Sequence, residues 1–89
     1  MMEAKRSETV KLDYPIQLAD KLLTEVTMRR PTMKDLREHP VKDGNDQDGE
    51  FRQFAALCGL RVEEMEGMDA ADYARLQDVY VRFRTPAKR

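Results

Sequence analysis

One histidine, His39, and one cysteine, Cys58, occur in the 89-residue chain, so a base and a strong nucleophile are present in single copy. Hydrolytic or transfer chemistry needs that base held beside a nucleophile or a metal. His39 instead precedes Pro40 at the end of a short helical pattern, the setting of a solvated residue near a helix C-terminus. Cys58 has no histidine close in sequence and no second cysteine at metal-ligand spacing, and it falls on an apolar helical stripe, where it reads as a core thiol. A glycine-rich phosphate loop is missing as well. These residues predict no enzyme: no catalytic residue, no cofactor, no metal.

Two charged clusters remain. Asp43, Asp46, Asp48 and Glu50 surround Gly44 with oxygen ligands at calcium-loop intervals. A standard loop, however, needs glycine at its sixth position and glutamate at its twelfth, which here are Asp48 and Phe54, so the run reads as solvated charge. Arg29, Arg30, Lys34 and Arg37 form a basic patch of the kind that meets phosphates, but Asp35 and Glu38 are interleaved and the aromatic residues lie elsewhere. Nucleic-acid binding is therefore the lesser reading.

The elements that must position these residues begin with a hairpin over residues 9–30. Val10, Leu12, Tyr14, Ile16 and Leu18 alternate with polar residues, and Leu22, Thr24, Val26 and Met28 resume the pattern after Ala19-Asp20-Lys21. A three-residue loop sets Leu18 opposite Leu22 and Leu12 opposite Met28, with a bend at Pro15. Pro31 ends the second strand, and Thr32 with Asp35 has capping-box spacing for a helix over about residues 32–39 with Met33 and Leu36 inward. Residues 41–48 read as a loop.

A second helix over 49–58, capped by Asp48, carries Phe51, Phe54, Ala55 and Cys58 and stops at Gly59. Residues 62–66 allow one further turn. The last helix, 69–84, starts with the same cap spacing at Asp69 and Asp72 and buries Leu76, Val79, Tyr80 and Phe83, with Tyr73 one turn earlier and Asp78–Arg82 as a surface pair. The fold class is α+β: an N-terminal β-hairpin covered by about three short α-helices, a single domain over 9–84 between flexible ends at 1–8 and 85–89.

Charged residues make up 37% of the chain but nearly cancel to a net charge of −1, so no overall field draws it to nucleic acid or anionic lipid. An unpaired cysteine suits a reducing compartment, and no apolar run approaches the ~18 residues of a membrane span. Met1 to Glu8 lacks the apolar centre of a secretory signal, which predicts a cytosolic protein without membrane partners. Both strands of a lone hairpin are edges able to accept another chain or a second copy in a homo-oligomer. Met28, Met33, Met65 and Met68 supply adaptable apolar side chains for the core or for a partner.

Four short motifs, in order, carry a family resemblance. They are Tyr14-Pro15-Ile16; a Leu/Thr-rich strand running into Arg29-Arg30-Pro31-Thr32 and Asp35-Leu36; Ala55 to Leu60, ending Cys58-Gly59-Leu60; and Met68-Asp69 leading into Asp72-Tyr73 and Leu76-Gln77. Across about Val10 to Phe83 the chain resembles the tail assembly chaperones of Mu-like and related contractile-tailed phages. Members often carry glycine in the hairpin turn, where this chain has Ala19-Asp20-Lys21.

The resemblance implies a non-catalytic factor of virion morphogenesis, encoded by a phage or prophage. It would bind the long, largely helical tape measure protein in the host bacterial cytoplasm, keep it soluble until tube subunits polymerise around it, and be absent from the mature virion. Relatives are often made in two forms, the longer by ribosomal frameshifting. The expected partner surface is the strand-to-helix junction: Met28, Arg29, Arg30, Met33, Lys34, Leu36 and Arg37. The alternatives are a small DNA-associated or regulatory phage protein using the basic patch, and a structural tail component.

Overall fold

The computed structural model describes residues 6–86. Strand β1 (Ser7–Gln17) pairs antiparallel with β2 (Leu22–Arg29), and four helices follow: α1 (Met33–Glu38), α2 (Gln47–Cys58), α3 (Val62–Met65) and α4 (Ala70–Arg84). The architecture is the expected α+β hairpin under helices. Ser7 and Glu8 belong to β1, and the Arg30 N–H donates to the Arg6 carbonyl, so the flexible segment anticipated over 1–8 is corrected at its end. Its residues 1–5, like 87–89 of the anticipated tail, lie outside the described residues. Thr85, also placed in that tail, closes α4 with its Oγ1 on the Val81 carbonyl.

The hairpin register differs from the expected one. Val10 faces Val26 and Glu8 faces Met28, whereas at the turn Ile16 faces Leu23 and Gln17 faces Leu22. Between these stretches Leu12, Asp13, Tyr14 and Pro15 stand opposite Thr24 alone, a wide bulge at the proline that cannot donate to a ladder. A bulge turns its residues, and Tyr14 swings out to 58% exposure while Leu12 and Ile16 stay in the core. The loop holds four residues, 18–21, closed by the Leu18 N–H on the Lys21 carbonyl at 2.8 Å. The Gln17 amide donates to the Leu18 carbonyl and, as a second donor, to the Lys21 carbonyl, which reinforces the closure. Leu22 consequently faces solvent, 54% exposed, and Leu23 takes the inward place.

Helix α2 packs on β2 and α4 on β1. The core joins Val10, Leu12, Ile16, Val26 and Met28 of the hairpin to Phe54, Ala55 and Leu57 of α2, Met65 of α3, and Leu76 and Val79 of α4. Tyr73 and Tyr80 of α4 flank the Phe54 ring at 5.4 and 4.8 Å between centroids, and Phe83 packs half-buried at the far end. Cys58 packs against this core, and burial pushes its thiol up to about 12, so it stays protonated at neutral pH.

Helix ends follow local chemistry with two corrections. Asp46, not Asp48, caps α2, accepting from the Gly49 N–H at 3.0 Å and the Lys42 N–H at 2.9 Å, because the helix starts two residues earlier than its apolar stripe. Asp69 caps α4 by accepting from the Ala71 N–H, but Asp72 does not reach back to it. Gly59 does stop α2 at φ 67°, and the Leu60 N–H returns to the Ala55 carbonyl.

At Gly49 the loop comes so close that an added Cβ would sit 2.6 Å from the Pro40 carbonyl oxygen and 2.3 Å from Asp46 Oδ2. Helix propensity alone favours alanine there by up to about 1 kcal/mol. The collision reverses that preference. Gly49→Ala is expected to lower stability by about 1–3 kcal/mol in urea denaturation, and an unchanged or raised midpoint would refute the close approach.

Candidate partner-binding site

The junction between β2 and α1 is held by one carboxylate. Thr32 Oγ1 accepts from the Asp35 N–H, and Asp35 Oδ2 accepts in return from the Thr32 N–H at 2.8 Å, a reciprocal cap that sets α1 at a fixed angle to the strand. The same carboxylate takes a bidentate pair from Arg29, Nη1 to Oδ2 at 2.7 Å and Nη2 to Oδ1 at 2.6 Å. The Arg29 guanidinium, assisted by the Thr32 donors and opposed by burial, holds the Asp35 carboxyl well below the usual carboxylate range. At the other end of α1, Gln53 Nε2 donates to the His39 carbonyl at 2.8 Å and fastens the helix to α2. His39 thus serves as the C-cap residue.

This arrangement sorts the residues expected at the partner surface. Met28 is 0% exposed and belongs to the core, so it is corrected from surface contact to packing: two residues on from buried Val26, it shares the inward face of β2. Arg29 is committed to Asp35. Met33, expected inward, stands 68% exposed at the first position of α1, because the inward place is filled by Asp35 and its ion pair. Lys34 pairs with Glu38 at 3.8 Å, and Arg37 is exposed beside them. The positive charge of the basic patch is therefore offset at Arg29 and Lys34, which weakens it as a phosphate footprint.

Arg30, Met33 and Leu36 do come together, in a cleft of about 290 Å³ that the sequence pattern did not reveal. Its opposite wall is the end of α4, Phe83 and Arg84, with Pro86 just beyond it. The Arg30 guanidinium lies 5.2 Å from the centre of the Phe83 ring, a cation–π contact across a separation of more than fifty residues. Phe83 was legible as apolar helix surface. That it faces α1 was not, since no local spacing connects the two. The cleft is apolar at Met33, Leu36 and Phe83 and basic at Arg30 and Arg84, with no carboxylate among its described lining residues.

The hairpin edges are unequal. On β1 the Asp13 and Tyr14 N–H groups donate to Asp72 Oδ1 and Oδ2, each at 3.0 Å, and Arg75 reaches the Lys11 carbonyl at 2.7 Å. Helix α4 thus closes the middle of that edge, which corrects the expectation of two open edges. On β2 the Arg30 N–H bonds inward to Arg6, so by antiparallel alternation Glu25 and Thr27 turn their backbone groups outward.

Among the described residues no group of three or more His, Cys, Asp or Glu side chains is placed to hold a metal ion, and no helix is long and apolar enough to cross a membrane. The acidic run instead serves backbone: Asp46 caps α2 and Asp43 accepts from the Asn45 N–H.

Against known proteins, no curated protein and no solved structure matches significantly. A family model does match, over residues 9–84, and its description reads phage tail assembly chaperone proteins, E, or 41 or 14. With hairpin, junction, α2 and α4 all inside that span, the chain belongs to the phage tail assembly chaperone family.

Proposed function

We propose that this chaperone binds the phage tape measure protein and keeps it soluble in the host cytoplasm during tail morphogenesis, acting without nucleotide or catalytic residue. The observation that carries the reading is the exposed junction cleft in a chain of this family: Met33 stands in solvent beside Leu36 and Phe83, with basic residues at the rim. A flexible methionine on an apolar cleft fits varied apolar side chains, and Arg30, Arg84 and Arg37 favour acidic flanks on the bound segment. The outward backbone of Glu25 and Thr27 offers a second mode, strand addition, for stretches of the partner in extended conformation. Occupying apolar segments lowers the concentration of free chains that aggregate.

Co-expression tests the proposal. The tape measure protein is expected in the soluble fraction with this chain and in the pellet without it, and equal solubility in both cases ends the reading. Met33→Glu, at an exposed position, is expected to leave the melting temperature within a degree or two, weaken partner binding about tenfold and return much of the tape measure protein to the pellet. Unchanged binding by this variant removes the cleft from the mechanism.

A further inference from the structure

A second concavity lies away from the junction, between the start of α2, the α3–α4 connection and the first turns of α4. It is the larger of the two, about 500 Å³. Phe51, Met68 and Tyr73 form its apolar lining, and Asp48, Glu50 and Glu66 stand around it, with no lysine, arginine or histidine among the described lining residues. Its charge is thus opposite to that of the junction cleft.

Glu50 is fixed in place: its Oε1 accepts from the Tyr73 hydroxyl at 3.0 Å and from Gln77 Nε2 at 2.9 Å. Asp48 and Glu66 are exposed and form no ion pair among the described residues. An acidic rim without cations disfavours acidic ligands and leaves its field for a basic one. The walls are side chains of the helices and of the α3–α4 connection, without a strand edge to pair a ligand's backbone. A helix satisfies its own N–H and C=O groups and needs no such edge, whereas an extended chain finds no ladder there.

We propose that this trough binds a basic amphipathic helix of a protein partner, its apolar stripe on Phe51, Met68 and Tyr73 and its lysines or arginines on Asp48, Glu50 and Glu66. The inference rests on the reading that the chain holds protein segments, not on which protein supplies them. Two oppositely charged clefts on one small domain would then select segments of different charge.

The test uses the full chain and a synthetic helical peptide of about 18 residues with leucines on one face and lysines on the other. Binding is followed by fluorescence anisotropy and mapped by amide chemical shifts on the wild-type protein. Shift changes are expected around Phe51, Met68 and Tyr73, and Asp48→Lys with Glu66→Lys is expected to weaken binding about tenfold or more. Asp20→Lys with Asp78→Lys makes the same change in net charge away from the trough, at the hairpin turn and on the β1 side of α4, and is expected to have little effect. Equal weakening by both pairs, shifts centred on the hairpin or the junction, or no measurable binding would each overturn the proposal. Solubility of the tape measure protein with the wild-type chain is read separately, so loss of the trough and loss of the chaperone reading are distinguishable.

Discussion

Replacing Asp72 by alanine is expected to cost about 3–5 kcal/mol and to leave much of the protein unfolded at room temperature, since a domain of this size has only a few kcal/mol in reserve. Asp72 lies on α4 with a relative exposure of 0%, yet it carries three interactions that nothing else supplies. Its two oxygens accept the Asp13 and Tyr14 N–H groups that the bulge removes from the β ladder, and Arg75 closes the arrangement from the same helix while bonding the Lys11 carbonyl. Burial pushes the Asp72 carboxyl upward, but Arg75 and the two backbone donors outweigh it and hold it below its ordinary value. Alanine leaves two backbone donors without a partner and Arg75 with the Lys11 carbonyl and the more distant Asp13 carboxylate, at 3.5 Å. The Asp72→Asn variant keeps one acceptor oxygen and is expected to lose roughly half as much. Urea denaturation measures both, and hydrogen exchange at Asp13 and Tyr14 reports the bulge directly. A loss under about 0.5 kcal/mol for alanine would show that the bulge stands without its carboxylate.

Asp35→Ala should have the next largest effect, about 2–3 kcal/mol, because it removes the returning half of the α1 capping box and the bidentate Arg29 pair together. Arg29 is half exposed and can return to water, which keeps the loss below that at Asp72. The same group predicts the acid limb of stability. The folded-state pKa of Asp35 is depressed, as is that of Asp72, so their stabilisation is fully present above the unfolded-state value of about 4 and is lost as pH falls from there toward the folded-state values. Wild-type melting temperature is expected to be level between about pH 7 and 5 and to fall below about pH 4. In Asp35→Asn the plateau should be lower and the acid fall shallower. An equally steep fall in the variant would assign acid sensitivity to other groups.

The two carboxylates also show how far local pattern reaches. Thr32-x-x-Asp35 is a spacing rule satisfied within one helical turn, so the capped helix after Pro31 was legible from sequence, as were the Gly59 stop and the helical stripes of α2 and α4. Asp72 has the same spacing from Asp69, but its hydrogen bonds go to the strand bulge nearly sixty residues away. Arg82 likewise turns from the expected Asp78 to Glu8 of β1. In both cases a longer-range partner offered what the local one could not: backbone donors in need of an acceptor, or a tie between helix and strand.

The candidate site divides along the same line. The basic and apolar residues around Pro31 marked the junction, but burial of Met28, neutralisation of Arg29 and exposure of Met33 came from packing. The cleft needed Phe83 and Arg84 from the other end of the domain.

By itself the order of residues determined the elements, the Thr32 and Asp69 caps, the Gly59 stop, the fold class and the family, because these depend on side-chain periodicity and on hydrogen bonds closing within a few residues. Only the tertiary structure decided the hairpin register, which edge stays open, and which side chains of the junction stay exposed. Those depend on where unsatisfied backbone groups and apolar faces from distant segments meet, and in this chain α4 settled the matter by delivering one buried carboxylate to the bulge at Pro15.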